Sequence, residues 1–280
     1  MSRRRDLDRR VAAFGEMRGI LDAMRNLAVL ETRKIERFLS AQQRCVASLE
    51  AAASEVSRFH APAATGEPLP VYLVIGSERG FCGDFNEALE RSLAAYRDEH
   101  RETAPLVAVG SRLAARLAHD PSLALSLPGP SVAEDVEPIV AEVAEGLSRL
   151  VRREGRRDPR LVAFAHDPDA GAVRVAALDP IARQARPGTR GSPPRLNVPP
   201  AMLLAELAER HLLARLLSLL YGSLLAESSR RLRHLDGAVR RLDEEVNRLR
   251  TRRNLLRQEE ITEEIEVIML SAEGSAGNAP

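Results

Sequence analysis

The chain has 280 residues, and its 41 basic and 40 acidic side chains leave a net charge of +1. This balance argues against a protein whose main work is to neutralise nucleic-acid phosphates. Only two cysteines, no secretory signal and no run of 18 apolar residues favour a protein of a reducing cytoplasm that does not cross a membrane.

The distribution of proline divides the chain into three segments. Sixteen of the 17 prolines lie between Pro62 and Pro200. Because proline inside a helix costs about 3 kcal/mol, we predict that the two proline-free ends form long helices. Residues 1–61 are the first helix, and Arg18, Arg25 and Thr32 interrupt its apolar face. The apolar positions are Leu7, Val11, Phe14, Leu21, Ala28, Ile35 and Leu39.

Residues 62–198 are predicted to form a central, Rossmann-like α/β domain. Its predicted strands are Val71–Ile75, Leu106–Val109, Leu161–Ala165 and Val173–Leu178, of which the last two form a hairpin. Its predicted helices are Asn86–Arg97, Ser111–Ala118 and Glu134–Arg153, with Ser111 as a cap. The stretch Arg183–Val198, dense in Pro, Gly, Arg and Ser, is predicted to be a linker.

The loop Gly76–Asp84 is the one candidate for a phosphate site. It follows a strand and opens a helix, a position where glycine-rich loops can bind phosphate. It lacks both the GK[ST] ending and the G-x-G-x-x-G spacing, which favours a structural turn over a nucleotide site. Cys82 has no nearby histidine, and the six histidines lack metal-ligand spacing. We therefore predict no catalytic, cofactor-binding or metal-binding residues.

Residues 199–272 are predicted to form the second long helix, and residues 273–280 a disordered tail. Its apolar positions step by three and four, as in a coiled coil. They are Leu232, Leu235, Val239, Leu242, Val246 and Leu249. The later positions Ile261, Ile265 and Ile268 rotate away from this seam. About 70 residues at about 1.5 Å each give a rod on the order of 100 Å, longer than the first helix, so we expect an external partner to cover part of it.

Charge along the second helix is uneven. Arg230–Arg257 contains ten arginines and four acids, and five glutamates follow without a base between them. Two interpretations stay open: a solvated helix face, or an arginine-rich surface that meets acidic groups of a partner.

Two segments resemble the gamma subunit of F-type ATP synthases. Residues 254–265 read N-L-L-R-Q-E-E-I-T-E-E-I, like the carboxy-terminal helix of that family. Residues 77–86 read S-E-R-G-F-C-G-D-F-N, similar to the family's S-D-R-G-L-C-G-G-F-N segment. The order of helix, α/β domain and helix also agrees with the family from end to end.

The resemblance implies a central rotor shaft, in which the terminal helices form an antiparallel coiled coil inside a ring of alpha and beta subunits. It also implies an epsilon subunit and a membrane c-ring as partners, at the cytoplasmic face of the cell membrane. The shaft is expected to have no active site, cofactor or small-molecule substrate of its own. Its rotation would couple proton or sodium flow to ATP synthesis or hydrolysis.

The resemblance also implies particular contact residues. Arg257, Gln258 and Thr262 match family positions that hydrogen-bond a loop of a beta subunit. Met24 matches a methionine near the beta-subunit lever. Residues 17–24 read M-R-G-I-L-D-A-M where the family commonly has T-Q-K-I-T-K-A-M, so Gly19 and Asp22 replace lysines. This departure leaves open whether the chain serves the main ATP synthase or a second rotary complex.

Two alternatives belong to other classes of protein. An enzyme built on the middle domain would bind a nucleotide at Gly76–Asp84. A free-standing coiled-coil scaffold would self-associate through Leu232–Leu249.

Overall fold

The structure is a computed structural model and describes residues 2–60, 69–153, 159–178 and 194–276. The helices are α1 (Ser2–Ser57), α2 (Phe85–His100), α3 (Ser111–Arg116), α4 (Val136–Arg153) and α5 (Pro200–Ala276), with a 3-10 turn at Ala133–Asp135. The strands are β1 (Leu69–Ile75), β2 (Leu106–Val109), β3 (Leu123–Leu127), β4 (Pro159–His166) and β5 (Val173–Leu178). None of these described helices combines the length and the apolar character needed to cross a bilayer.

The chain divides into two compact units. The helical unit contains residues 1–27 and 233–280, and the sheet unit contains residues 28–232. The predicted linker Arg183–Val198 lies outside the described residues as far as residue 193. Helix α5 runs through Ala276, past the predicted boundary at residue 272, and residues 277–280 lie outside the described part.

The sheet unit contains one five-stranded sheet in the order β3-β2-β1-β4-β5. Its first four strands are parallel, and β5 pairs antiparallel with β4 as the predicted hairpin. The strand order, with helices between the parallel strands, matches the first five strands of the Rossmann order 3-2-1-4-5-6, except that β5 is antiparallel. The predicted α/β fold class is confirmed.

Side chains of alternating residues on β1 pack on opposite faces of the sheet. Leu73 and Ile75 join a core with α4, α5 and α1, in which Leu216 and Leu220 of α5 are fully buried. Tyr72 and Val74 join the second core with α2 and α3. Because both faces are covered, the central strands read as continuous apolar runs.

Two local expectations differ from the structure. Strand β3 was not predicted, because its sequence L-A-L-S-L is short and lies half-exposed at the sheet edge. The prediction that Ser111 caps α3 is wrong: Ser111 is the first helical residue, and Gly110 holds the cap position without a side-chain bond. The amide and hydroxyl of Ser111 both donate to the Glu78 carboxylate at 2.8 Å, so a distant acid caps the helix.

The helical unit is an antiparallel pair of helix segments. Leu235, Val246 and Leu249 of the predicted seam are buried, and on the other segment so is Leu7. Among the described residues, four ion pairs join the segments: Arg4–Glu260, Asp8–Arg253, Arg18–Asp243 and Arg25–Asp236. Along α1, the paired residue numbers decrease by seven and then ten, from Arg25 to Arg18 to Asp8. Along α5, the numbers of their partners increase by the same seven and ten, from Asp236 to Asp243 to Arg253. Equal and opposite steps show that the pairing is antiparallel and keeps its register.

Candidate functional site

The three predicted polar contact residues of α5 lie on its surface in the helical unit. Arg257 and Gln258 are exposed, and within the described residues Arg257 has no hydrogen bond or ion pair. Thr262 is exposed, and its hydroxyl donates to the carbonyl oxygen of Gln258 at 2.9 Å. An arginine with all its donors unoccupied can bind a carboxylate or carbonyl group of another molecule in bidentate geometry.

Met24 lies in a different zone of the same unit. Its neighbour Arg25 pairs with Asp236, whereas Glu260, beside Thr262, pairs with Arg4. The 21 residues between Arg4 and Arg25 correspond to about 30 Å of helix. The structure therefore brings Arg257, Gln258 and Thr262 together on one segment but does not bring Met24 to them.

Met24 belongs to an apolar row on α1 that the sequence reasoning did not identify. Met17, Ile20 and Leu27 are 50%, 62% and 64% exposed, and Met24 is half-buried. The spacing of three, four and three residues places these four side chains, which we name the outer stripe, along one face. The stripe differs from the seam that faces α5, and exposed apolar rows of this kind mark interaction surfaces. The sequence could have revealed the outer stripe, because its apolar residues repeat with helical spacing next to the predicted seam of α1.

Arg18 and Arg25, which interrupt the predicted seam, have a defined role. The Nε of Arg18 donates to Asp243 of α5 at 2.6 Å. Arg25 forms an ion pair with Asp236 of α5, with 2.6 Å between its Nε and the carboxylate oxygen. Arg18 also contacts Asp22 at 2.9 Å. The Asp22 carboxylate therefore shares the Arg18 guanidinium with Asp243 within the helical unit.

The loop Gly76–Asp84, here called the β1 loop, already holds an anion from its own chain. The backbone amides of Glu78 and Arg79 each donate to the carboxylate of Glu227 on α5 at 3.3 Å. Glu227 is buried and also pairs with Arg231. Burial raises the pKa of Glu227, while Arg231 and the two amides oppose that rise. Two backbone amides of the β1 loop are thus already bound by a carboxylate of the same chain.

Cys82 is a residue of this loop, and its side chain is buried. Burial, followed by the nearby Glu227 carboxylate, raises the pKa of the Cys82 thiol to about 11. The thiol is therefore protonated at neutral pH and is a poor nucleophile.

The predicted turn His166–Gly171 follows β4 and is held by hydrogen bonds to the backbone and the side chain of Asp167. The Asp167 carboxylate accepts hydrogen bonds from the amides of Asp169 and Ala170 at 2.9 and 3.0 Å. His166 is buried with its Nε2 2.8 Å from the carbonyl oxygen of Phe85, and burial lowers its pKa. Across the described residues, no cluster of three His, Cys, Asp or Glu side chains could hold a metal ion.

Comparisons with a family model and with curated proteins indicate the same class of protein. A model of the family described as ATP synthase matches residues 3–274. The chain is 24% identical to the ATP synthase gamma chain of Clostridium beijerinckii over 94% of its own length and 95% of that protein's. It is 26% identical to the gamma chain of Rubrobacter xylanophilus, with 99% of each chain covered.

Two solved structures have a similar fold. A chain from the Euglena gracilis mitochondrial ATP synthase, in a structure described as OSCP/F1/c-ring, gives a TM-score of 0.63 at 12% identity and covers 100% of this chain and 97% of that one. A chain from the Tetrahymena thermophila central stalk/c-ring gives 0.54 at 16% identity and covers 78% of this chain and 99% of that one. The family model and the curated relatives place the chain among ATP synthase subunits. It belongs to the ATP synthase gamma family.

Proposed function

We propose that this chain is the central rotor shaft of a membrane-bound F-type ATP synthase. Its rotation couples ion translocation through a membrane c-ring to ATP synthesis or hydrolysis in a ring of alpha and beta subunits. The chain itself performs no chemistry. The terminal segments 1–61 and 199–272 serve as the shaft, and residues 62–198 serve as the domain that joins it to the epsilon subunit and the c-ring.

Membership in the gamma family is the observation that carries this proposal. Two structural neighbours come from assemblies whose descriptions name a c-ring, which supports the same association for this chain. The complex is proposed to sit at the cytoplasmic face of the cell membrane as a peripheral part of the machine.

The surface of the helical unit supports contact with other subunits. Three residues of the outer stripe, Met17, Ile20 and Leu27, are at least 50% exposed. On α5, Ile261, Ile265 and Ile268 are at least 46% exposed. Apolar surface of this extent gains free energy when another protein covers it. Arg257 and Gln258 add directed donors near the second group, and we propose that they bind a loop of a beta subunit together with Thr262.

The state of the β1 loop amides and of the Cys82 thiol supports a mechanical rather than a catalytic function. The amides of the β1 loop are bound by Glu227, and the Cys82 thiol is protonated at neutral pH. Neither group is available for nucleotide binding or nucleophilic attack. Catalysis is therefore assigned to the partner subunits.

The experiment that tests the function is a pull-down of the tagged full-length chain from detergent-extracted native membranes. We expect nucleotide-binding subunits and a membrane ring to be retained, and no ATPase activity of the purified chain alone. Recovery of the chain only with copies of itself would replace the rotor proposal with the scaffold alternative. Analytical ultracentrifugation of the purified chain measures that self-association directly.

A further inference from the structure

We infer that Glu227 and Arg231 of α5 are positioning residues that transmit torque between the sheet and α5. These two side chains, which bind the β1 loop, are here called the clamp. The inference rests on the proposed rotor function and adds to it the place where angular force enters the helix.

The clamp binds three successive residues of the loop through opposite kinds of group. Glu227 accepts from the amides of Glu78 and Arg79 at 3.3 Å, and the Nε of Arg231 donates to the carbonyl oxygen of Gly80 at 3.3 Å. Glu227 and Arg231 also pair with each other one helical turn apart, with side chains only 4% and 9% exposed. One face of α5 therefore supplies an acceptor for the loop amides and a donor for a loop carbonyl oxygen.

Neighbouring residues of α5 extend the hold to both ends of the loop. The Ser223 hydroxyl donates to the carbonyl oxygen of Ile75 at 3.3 Å. Arg230 binds the carboxylate of Asp84 at 2.6 Å and the carbonyl oxygen of Gly171 at 2.9 Å. About two turns of α5 thus contact the end of β1, the end of the loop and the turn of the hairpin.

The loop is itself tied to the other strands. The Glu78 carboxylate accepts from the amide of Ser111, which follows β2, and from the amide of Gly129, which follows β3, at 2.8 and 2.7 Å. A force on the sheet therefore reaches the loop through three strand ends. From the loop it passes to α5 through the clamp.

Apolar packing alone would not transmit an angular force well. Leu216, Leu220 and Leu224 bury α5 against the sheet, but hydrophobic contact is non-directional. A side chain about 6 Å from a helix axis moves by about 2 Å when the helix turns by about 20°. That movement breaks hydrogen bonds of 3.3 Å but changes the energy of an apolar contact little.

The chemistry of the clamp also indicates a positioning role rather than a gain in stability. A buried ion pair is often no more stable than well-packed apolar residues of similar volume. Its advantage is geometric, because the planar guanidinium and the carboxylate accept only a narrow range of directions. If α5 is to rotate together with the sheet, it needs contacts with this narrow range of directions.

The test uses the reconstituted complex and two substitutions on the same helix. Glu227→Gln keeps the volume but turns an amide donor toward the backbone amides of the loop. The matched control is Glu206→Gln, which removes an exposed glutamate that pairs with Arg210 one turn away in the same geometry. Arg231→Lys is the milder second variant, since one ammonium cannot reproduce the guanidinium fork.

We expect Glu227→Gln to lower the ratio of gradient-driven ATP synthesis to ATP hydrolysis and to widen the angular fluctuations of a bead attached to the rotor. Hydrogen exchange at the amides of Glu78 and Arg79 should accelerate about tenfold, equivalent to about 1.4 kcal/mol. Arg231→Lys should shift the same readouts less, and Glu206→Gln should match the wild type.

Wild-type coupling and bead fluctuations in both clamp variants, together with faster exchange at the loop amides, would overturn the torque role and leave a purely structural one. If the Glu227→Gln variant does not assemble into the complex, the ratio of ATP synthesis to hydrolysis in Arg231→Lys tests the torque role instead. If the wild-type chain does not join a rotary complex at all, the rotor function fails instead, and the two failures are thereby distinguished.

Discussion

The guanidinium of Arg18 on α1 lies 2.6 Å from the carboxylate of Asp243 on α5, measured from Nε to Oδ1. In the sequence Arg18 is an interruption of an apolar seam, since it occupies a position where a leucine or valine would be expected. In the structure it fixes the register between two antiparallel segments, and Arg25 repeats the arrangement with Asp236 one heptad away.

A charge swap tests this register. Arg18→Asp and Asp243→Arg should each lower the thermal unfolding midpoint by at most a few degrees, because both side chains are largely exposed. The double substitution should recover most of the loss, since it restores the pair in reverse. Circular dichroism melting of the full chain measures this, and additive losses in the double variant would contradict it.

The two cysteines should react at very different rates. Cys45 is exposed, whereas Cys82 is buried with its pKa raised to about 11. Under native conditions at neutral pH, iodoacetamide should modify Cys45 and leave Cys82 intact until the chain unfolds. Peptide mass spectrometry of the labelled protein reads the two sites separately. Rapid modification of Cys82 in the native protein would show that the β1 loop opens readily.

Glu78 should make part of the stability depend on pH. Burial alone would raise its pKa, but hydrogen bonds from Ser111 and Gly129 outweigh this and lower the pKa below the usual 4.5. A lowered carboxyl pKa stabilises the folded state at neutral pH, and this contribution is lost as pH falls below about 5 through the folded pKa. Glu78→Gln should therefore cost about 1–2 kcal/mol at pH 7 and progressively less in acid.

Urea unfolding of wild type and Glu78→Gln between pH 7 and pH 3 measures this difference. Glu99→Gln, a change at an exposed position of α2, is the control and should cost little at any pH. A gap between wild type and Glu78→Gln that stays constant down to pH 3 would show that the ionised carboxylate is not what binds these amides.

Arg257→Ala should weaken the coupling between hydrolysis and rotation without unfolding the chain. Arg257 is exposed and makes no hydrogen bond or ion pair within the described residues, so its removal breaks no polar interaction there. Arg252→Ala removes another exposed arginine of α5 from a different helix face and serves as the control. Torque and ATP synthesis in the reconstituted complex are the measurements. Equal torque for Arg257→Ala and wild type would remove this residue from the proposed contact.

A charge placed in the outer stripe should impair assembly rather than folding. Ile20 is 62% exposed, so Ile20→Glu should change the free energy of unfolding of the isolated chain by less than about 1 kcal/mol. In the pull-down from membranes the same variant should retain fewer nucleotide-binding subunits, because a carboxylate is costly to bury at an apolar contact. Ala12→Glu, on another exposed face of α1, should retain as many subunits as wild type.

Much of the fold was readable from local patterns. Proline-free stretches with steps of three and four predicted the helices, and β-branched runs predicted β1, β2, β4 and β5. The buried positions Leu7, Ile35, Leu235 and Leu249 are among the seam positions predicted from spacing alone. Strand β3 escaped because an edge strand of five residues is stabilised by its neighbour β2 rather than by its own composition.

The sequence by itself determined the element types and the apolar faces, because backbone preference and periodicity act over a few residues. It also carried the motifs that resemble the gamma family. Only the tertiary structure decided which polar groups meet: Glu227 binds the amide of Glu78 across 149 residues, and Glu78 caps α3 from 33 residues away. Hydrogen bonds and ion pairs need atoms within about 3 Å in defined directions, and no local pattern encodes that meeting.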